Sequence, residues 1–234
     1  MTKASAARRD RERTQADLLA VATEEFARDG FYGARVDKIA ARSRTTKRMI
    51  YYYFQDKRGL YTAVLEKAYA DIRAREQELE LTDMAPSEAM ERLIRHTIDY
   101  HDSHPHLARL VTVENAMDAE NLRRSTRQAD LNLPIILLVD DILARGRASG
   151  EFVRDVRGVE LHLLMSALAL FRITNAPTIK ATFGINMRSA ESKRHATDML
   201  VSLVLTWLRT PDPPDGMPAA AATAGLAHAS DGAS

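Results

Sequence analysis

The stretch IAARSRTTKRMIYYYFQDKRGL, residues 39–60, decides the fold of this chain. Its apolar residues recur at helical spacing before and after a polar interruption. Thr45 or Thr46 is placed to cap a new helix, in which Ile50 and Phe54 stand four residues apart and therefore face inward together. The pattern predicts two short helices joined by a tight turn, which is a helix-turn-helix arrangement.

The residues around these inward anchors are cationic or aromatic, and we expect them to face solvent: Lys47, Arg48, Tyr51 and Tyr52, with Tyr53 at the rim. Segment 38–55 contains five cations and no acid, although the whole chain has a net charge of only +1. A local basic patch beside a helix N-terminus suits contact with phosphates, and tyrosine hydroxyls donate to phosphate oxygens. A solvated basic face or an aromatic core patch is the alternative.

Helical periodicity continues along most of the chain. We predict the other helices at 14–29, 37–42, 57–79, 86–103, 105–117, 120–148, 157–176 and 189–209. Gly30 and Gly150 are expected to end helices, and Asp56, Asp155 and Ser189 to cap them. Pro134 should kink or split the 120–148 helix, while 177–188 should form a loop with a single helical turn.

The fold predicted from this pattern is all-α. We expect a flexible basic arm over 1–13, containing Lys3, Arg8, Arg9, Arg11 and Arg13, and a helix-turn-helix domain over 14–56. A larger helical domain follows at 57–209, for which the family resemblance described below implies effector binding and dimerisation. The end of the chain, 210–234, is rich in Pro, Ala and Gly and is expected to be disordered.

Composition narrows the class of protein. There are no cysteines, which excludes disulfides and thiolate metal sites, and no apolar run approaches the roughly 20 residues of a membrane span. The beginning of the chain has no apolar segment suited to a secretory signal, so a cytoplasmic setting is expected. We find none of the motifs of nucleotide-binding loops, nucleophile elbows or zincin helices. We therefore expect neither an enzyme nor a cofactor, with a helical enzyme as the remote alternative.

Histidines crowd one further segment, in which His101, His104 and His106 surround Asp102 and Pro105. This composition is typical of metal sites. However, the helix break at the proline scatters the side chains, and no pair of histidines stands four apart on one helix. We predict no metal site.

The segment FYGARVDKIAARSRTTKRMIYYYFQDKRGLYTAVL resembles the DNA-binding region of the TetR family of bacterial transcriptional repressors. The family pattern is matched without a break in spacing by Ile39, Ala40, Ile50, Tyr51, Tyr52, Phe54, Lys57 and Leu60, with Thr46 in place of a capping serine. Arg44 replaces the usual turn glycine and must adopt a positive or bridge-region φ. The resemblance implies a regulator that binds double-stranded DNA.

Several contacts with DNA are implied by this resemblance. Phosphate contacts are expected from Thr46, Lys47, Tyr52 and Lys57, and base or mixed contacts from Thr45, Arg48, Tyr51 and Tyr53. Arg35, which opens the second helix, is suited to the DNA backbone. Arg48 could reach a guanine edge, the commonest specific contact of arginine.

The resemblance also implies a homodimer that binds a palindromic operator. Two C-terminal helices carry broad apolar stripes that could form a four-helix bundle between two subunits, and the interface candidates are Leu161, Leu164, Leu168, Met199, Leu203 and Trp207. The alternative is that these stripes belong to the internal core.

A small-molecule effector is the usual control of the family. DYHDSHPHLARLVTVEN and LHLLMSALALFRITN resemble a subgroup that includes regulators of aromatic-acid catabolism, nicotinate among them. Arg172 lies on an apolar stripe and needs a partner, which is either an internal carboxylate such as Glu114 or an anionic ligand. The proposed pocket residues are His96, Tyr100, Glu114, Asn115, Met165, Leu168, Arg172 and Asn175. Control by a protein partner, without a pocket, is the alternative.

Overall fold

The computed structural model describes residues 3–211, and over this range it is built from ten α-helices and one 3-10 turn. In chain order these are α1 (Lys3–Gly33), α2 (Val36–Arg42), α3 (Lys47–Phe54), α4 (Lys57–Gln77), α5 (Pro86–Ser103), α6 (Pro105–Asn115), the turn Leu122–Arg124, α7 (Gln128–Ala148), α8 (Gly158–Thr174), α9 (Ala176–Phe183) and α10 (Ala190–Arg209). The predicted all-α class is confirmed.

The first four helices enclose a compact apolar core. Leu18, Phe26, Ile39, Ile50 and Leu60, one or more from each helix, are all fully buried in it. Because α2 and α3 are too short to be stable alone, their conformation depends on this shared core. The core thus fixes which side of α3 faces outward.

The first helix differs from its predicted bounds. It begins at Lys3, so the residues expected to form a flexible arm continue the helix in the structure. At its other end the regular helix breaks at Gly30, whose φ of 70° suits a residue without a Cβ. The expected stop at Gly30 is therefore a kink, after which the chain makes one more turn to Gly33.

The second core lies among α5, α7, α8 and α10. Its fully buried residues include Leu93 and Ile94 of α5, Ile142 of α7 and Met165 of α8. The predicted bounds of α5 match the structure, and Ser189 caps α10 by accepting a hydrogen bond from the Ser192 amide at 3.2 Å. The disordered tail was predicted over 210–234, and residues 212–234 lie outside the described range.

The predicted 120–148 helix begins late and is not split. Ser125, which follows the 3-10 turn Leu122–Arg124, has an extended backbone (φ −74°, ψ 123°) that no continuous helix allows, so α7 begins only at Gln128. Pro134 lies inside α7. Both Pro134 and Asp130, whose carbonyl loses its helical donor, are exposed, and water can replace the missing N–H.

Two predictions in the C-terminal region are wrong. The segment expected to be mostly loop contains α9, a full eight-residue helix that ends at Gly184 with a φ of 71°. Asp155 does not cap α8, because Arg157 occupies the N-cap position and its amide donates to the Glu160 carboxylate at 3.2 Å. The carboxylate of the third helical residue thus satisfies the N-cap amide, which is one half of a capping box.

Candidate DNA-binding face and ligand-binding cavities

The orientation of α3 is set by a cap and an anchor. Thr46 Oγ1 accepts a hydrogen bond from the Met49 amide at 3.3 Å, as expected for an N-cap threonine. Ile50 is fully buried against the N-terminal core. Arg44, in the turn before α3, has a positive φ (52°), one of the two alternatives expected from its replacement of glycine.

The outward side of α3 carries the predicted contact residues. Tyr51 and Tyr52 are 43% and 65% exposed. Arg48 is exposed and has no hydrogen bond or ion pair within the described residues, whereas Lys47 Nζ lies 2.5 Å from Asp37 Oδ1 of α2. Such an exposed pair contributes little, so a phosphate can compete for the lysine.

Other predicted contacts flank this outward side. Arg35 is exposed at the N-cap position of α2, and Thr45 is half-buried in the turn. Arg11 of α1 places its guanidinium 5.9 Å from the centroid of the Tyr52 ring. Arg11 therefore continues the same positive surface from within α1.

Two predicted contacts are partly engaged inside the fold. Tyr53 is half-buried and packs edge-to-face on Tyr52, with ring centroids 5.4 Å apart. Lys57 Nζ donates to the Tyr32 carbonyl at 3.2 Å, and burial lowers the pKa of this lysine. Lys57 thus ties α4 to the end of α1, and its phosphate contact stays a prediction.

The five cations of segment 38–55 do not act as one group. Lys38 and Arg42 point toward α1, where both approach the fully buried Glu25 carboxylate, at 3.9 Å and 3.6 Å. Arg42 also pairs with Glu24. The outward side therefore carries fewer cations than the sequence predicted. They are Arg44, Lys47 and Arg48.

The close turn between α3 and α4 requires a glycine at the third residue of α4, Gly59. A Cβ at Gly59 would lie 2.0 Å from the backbone carbonyl oxygen of Phe54. The side chain of Asp56 accepts from the Gly59 amide at 2.7 Å, which draws the first turn of α4 close to the end of α3. Gly59 thus fixes the angle at which α3 is presented.

Replacing Gly59 by alanine is expected to destabilise the protein by about 1–3 kcal/mol, because the end of α3 must move to admit the methyl group. Operator affinity should fall as well, since the contact residues lie on that helix. Chemical denaturation and fluorescence anisotropy measure the two effects. Gly33→Ala is the control, because its Cβ would meet Asp29 Cβ at an ordinary 3.4 Å. Equal effects of both substitutions would contradict the steric argument.

The structure does not bring the eight predicted pocket residues together. Met165 belongs to the core, Leu168 packs against it, and Asn115 is exposed at the end of α6. Asn175 joins α8 to α9, where its side-chain amide donates to Thr174 Oγ1 at 2.9 Å. Tyr100 stacks on His104 with ring centroids 4.1 Å apart, and His96 is half-buried beside it.

Glu114 and Arg172 are buried but not paired with each other. The Glu114 carboxylate accepts hydrogen bonds from the Asn121 amide, the Asn121 side chain and the Leu122 amide, at 2.7, 3.0 and 2.8 Å. Arg172, which is 1% exposed, donates to the carbonyls of Met187 and Ser192, at 2.5 and 3.1 Å. Arg172 is thus held by backbone carbonyls and not by Glu114. Its buried Nε has no hydrogen-bond partner among the described residues, and its contact with a ligand stays a prediction.

A cavity of about 370 Å³ lies instead among α4, α5, α6, α7 and α8, and we call it the inner cavity. Its walls are mostly apolar, but Arg73, His101 and His162 also line it. Burial lowers the pKa of His101, and burial together with the Arg73 charge lowers the pKa of His162 to about 4. Both imidazoles are therefore neutral near pH 7.

Arg73 also lines an outer cavity of about 430 Å³ between α4, the segment after it and α7, together with Glu76. A third cavity of about 500 Å³ lies between α1, α4 and the α5–α6 junction, and Tyr100 alone of the predicted pocket residues lines it. None of the eight lines the inner or outer cavity.

Two family models match most of the chain. The model "Bacterial regulatory proteins, tetR family" covers residues 18–64, and "Tetracyclin repressor-like, C-terminal domain" covers residues 86–204, which is more than half of the chain. The chain belongs to the TetR family. Its relatives of this family are transcriptional regulators, and the resemblance read from the helix-turn-helix is confirmed.

Similar proteins extend this finding over most of the chain. The chain is 28% identical over 198 residues to the HTH-type transcriptional repressor NicS of Pseudomonas putida, which spans 85% of this chain and 93% of that protein. It is 40% identical over 105 residues to the repressor SCO4008 of Streptomyces coelicolor, across 45% of this chain and 51% of that protein. The solved structure of a putative regulator, SCO4942 of S. coelicolor, is 26% identical with a TM-score of 0.60, covering 82% of this chain and 97% of its own.

In this TetR-family chain an apolar surface is left uncovered on α8 and α10. Its exposed members are Leu163, Leu164 and Phe171 of α8 and Met199, Leu203 and Trp207 of α10, between 41% and 62% exposed. Leu161, expected at the interface, is 1% exposed and belongs to the core, and Leu163 takes the outward place. Leu168 is half-buried beneath this surface.

Two further properties concern the described residues alone. No three His, Asp or Glu side chains among them form a group that could hold a metal ion. No single helix between residues 3 and 211 has the length and apolar character of a membrane span. The pair α8 and α9, bent by 65° at its junction, has that length and composition only when the two helices are taken together.

Proposed function

We propose that this TetR-family protein represses transcription by binding a palindromic operator as a two-fold dimer, and that a small-molecule effector releases it. The observation that carries the proposal is the outward side of α3, where Arg48, Tyr51 and Tyr52 are exposed next to a capped helix N-terminus. Arginine reads base edges, while tyrosine hydroxyls and helix N-termini bind phosphates.

The uncovered surface of α8 and α10 supports the dimer. Two helices from each subunit would form a four-helix bundle and remove six large apolar side chains from water. A two-fold axis through this bundle places two copies of α3 on the same side of DNA. Their spacing must match about one duplex turn, roughly 34–36 Å, or a multiple of it, which makes the operator palindromic.

The cavities favour an effector over control by a protein partner. Three cavities of about 370 to 500 Å³ lie in or beside the larger helical region, within the range of small-molecule sites. Two of them adjoin Arg73 on α4, the helix that continues from the helix-turn-helix into that region. A ligand that moves α4 would change the separation of the two α3 helices, and the resemblance noted in the sequence suggests an aromatic acid.

Binding to DNA from the upstream intergenic region tests the proposal. Fluorescence anisotropy should show saturable binding that weakens with salt, since phosphate contacts release counterions. Arg48→Ala should lower the affinity by about 10- to 100-fold if it removes a bidentate base contact, and Tyr51→Phe by about 3- to 10-fold if it removes one hydrogen bond.

Arg92→Ala on the exposed side of α5 is the matched control, because it removes one cation far along the chain from α3. The control should leave the affinity within about twofold, allowing for the general loss of positive charge. If Arg92→Ala weakens binding as much as Arg48→Ala, the contact is non-specific. If the folded dimer binds neither this DNA nor any fragment in a genome-wide footprint, the proposed function is wrong.

A further inference from the structure

Arg73, which lines both the inner and the outer cavity, forms a buried ion pair with Glu76 of the outer cavity, and this pair leaves hydrogen-bonding capacity unused. The side chains of Arg73 and Glu76 are 9% and 3% exposed, and Arg73 Nη1 lies 3.0 Å from Glu76 Oε2. The contact lacks hydrogen-bond geometry, and Arg73 Nε, Arg73 Nη1 and Glu76 Oε2 have no hydrogen-bond partner among the described residues. A guanidinium has five N–H donors, and leaving them unmatched in a buried site is costly.

No other charged group in the inner cavity balances Arg73. His101 and His162 are neutral near pH 7, and α6 contributes only apolar residues to the wall. Glu76 itself lines the outer cavity, together with Glu80 and Asp141. The inner cavity is therefore a mostly apolar space with a positive charge on one wall.

We propose that the inner cavity binds a small monocarboxylic acid with a largely apolar body, whose carboxylate takes the place of Glu76 beside the Arg73 guanidinium. This assignment rests on the proposed control of the protein by an effector. A carboxylate that approaches from the cavity can meet the unused Nε and Nη edge in a bidentate manner, which the present contact with Glu76 does not achieve. The buried Nδ1 of His162, also without a hydrogen-bond partner in the described range, is available to a second polar group of the ligand.

Replacement of Glu76 by a ligand carboxylate beside Arg73 is expected to change the protonation of Glu76. Burial raises the pKa of Glu76 to about 7 even with Arg73 beside it. Once a ligand carboxylate pairs with Arg73, Glu76 loses the guanidinium that now lies beside it and takes a proton from solvent. Above pH 7, where free Glu76 is mostly ionised, each bound ligand should therefore bring about one proton with it.

Titratable groups of several elements face this pair besides Glu76 itself. They are Tyr69 of α4, His96, Tyr100 and His101 of α5, Asp141 of α7, His162 of α8 and Glu80 after α4. Burial lowers the pKa of all three histidines and raises that of both tyrosines, for Tyr100 to about 12. Asp141 is bound by Arg145 at 2.9 Å. A proton taken up between about pH 7 and pH 9 is therefore assigned to Glu76.

Calorimetric titration with benzoate and its uncharged isostere benzamide tests the assignment. Benzoate should bind the wild type at least about tenfold more tightly than benzamide, as expected for a charge-assisted pair. Its affinity should fall by up to about tenfold per pH unit from pH 7 to pH 9, and titrations in buffers of different ionisation enthalpy should show uptake approaching one proton.

Three variants separate a ligand site from a structural role. Arg73→Gln should remove the preference for benzoate. Glu76→Gln should tighten benzoate binding and abolish its pH dependence, an improvement that general loss of structure cannot produce. Arg75→Gln, which removes an exposed cation of the same helix, should behave as the wild type.

The inference is overturned if benzoate fails to bind the wild type at millimolar concentration, or binds Arg73→Gln and the wild type alike. It is equally overturned if Glu76→Gln weakens binding. Each protein is also titrated with the operator fragment. Loss of DNA binding by the wild type would contradict the proposed function, whereas normal DNA binding without Arg73-dependent benzoate binding would contradict the cavity assignment alone.

Discussion

Replacing Leu203 by aspartate is expected to convert the protein from a dimer to a monomer and to lower operator affinity by at least about a hundredfold. Leu203 is 60% exposed at the centre of the α10 stripe, four residues from Met199 and from Trp207. In the proposed bundle its side chain is buried against the partner subunit, where an unpaired carboxylate is costly. A monomer presents one α3 and binds one half-site, so it loses the contribution of the second.

Sedimentation equilibrium measures the first effect and fluorescence anisotropy the second. Thr126→Asp is the matched control, because it adds the same charge at an exposed position before α7. It should remain a dimer and bind DNA with affinity within a few fold of the wild type, since only a weak repulsion from phosphates is added. A Leu203→Asp protein that remains dimeric would place the interface elsewhere than on α8 and α10.

The helix-turn-helix could be predicted in detail because its determinants are local. Ile50 and Phe54 define the inward side of α3, and the threonine that caps it immediately precedes the helix. Even the positive φ of Arg44 follows from its place in the turn. What the sequence could not show was the pairing of Lys38 and Arg42 with acids of α1, because these contacts depend on the packing angle of two helices.

The pocket residues could not be predicted for a related reason. Glu114 and Arg172 were recognised as polar groups among apolar neighbours, and both are indeed buried. Most of their partners are backbone groups, the amides of Asn121 and Leu122 for Glu114 and the carbonyls of Met187 and Ser192 for Arg172, and no periodicity marks backbone groups as partners. A buried polar side chain in a helix therefore predicts a partner, but not whether that partner is a ligand or the chain itself.

Arg73 and Glu76 were not among the predicted pocket residues, because their sequence pattern indicates an exposed surface. An arginine and a glutamate three residues apart on a helix are typical of a solvated surface, where such pairs are common. The signal that could have found them is their spacing along the helix from residues of its inward side. Glu76 stands four residues after the buried Ile72, and Arg73 stands four after Tyr69, so both lie at the edge of the inward side of α4.

Replacing Glu114 by alanine is expected to destabilise the protein by about 3–5 kcal/mol, the largest stability effect that we expect from a single substitution. Glu114 and Asn121 are both fully buried, and the Glu114 carboxylate accepts hydrogen bonds from two backbone amides and one side-chain amide. Each buried donor left without an acceptor costs about 1–3 kcal/mol. The positive φ of Asp118 and Ala119 adds strain that this carboxylate holds in place.

Urea denaturation of Glu114→Ala and the wild type measures the difference, and Glu120→Ala is the control in the same turn. Glu120 is 38% exposed and pairs with Arg58 of α4, so its loss should cost less than about 1 kcal/mol. Arg58 also donates to Asn121 Oδ1 at 3.2 Å, which links the turn to the first residues of α4. If the carboxylate organises this turn, Glu114→Ala should weaken operator binding more than its loss of stability explains, because α4 loses its support beside α3. Equal stability losses in the two variants would mean that solvent reaches the amides of Asn121 and Leu122 once the carboxylate is removed.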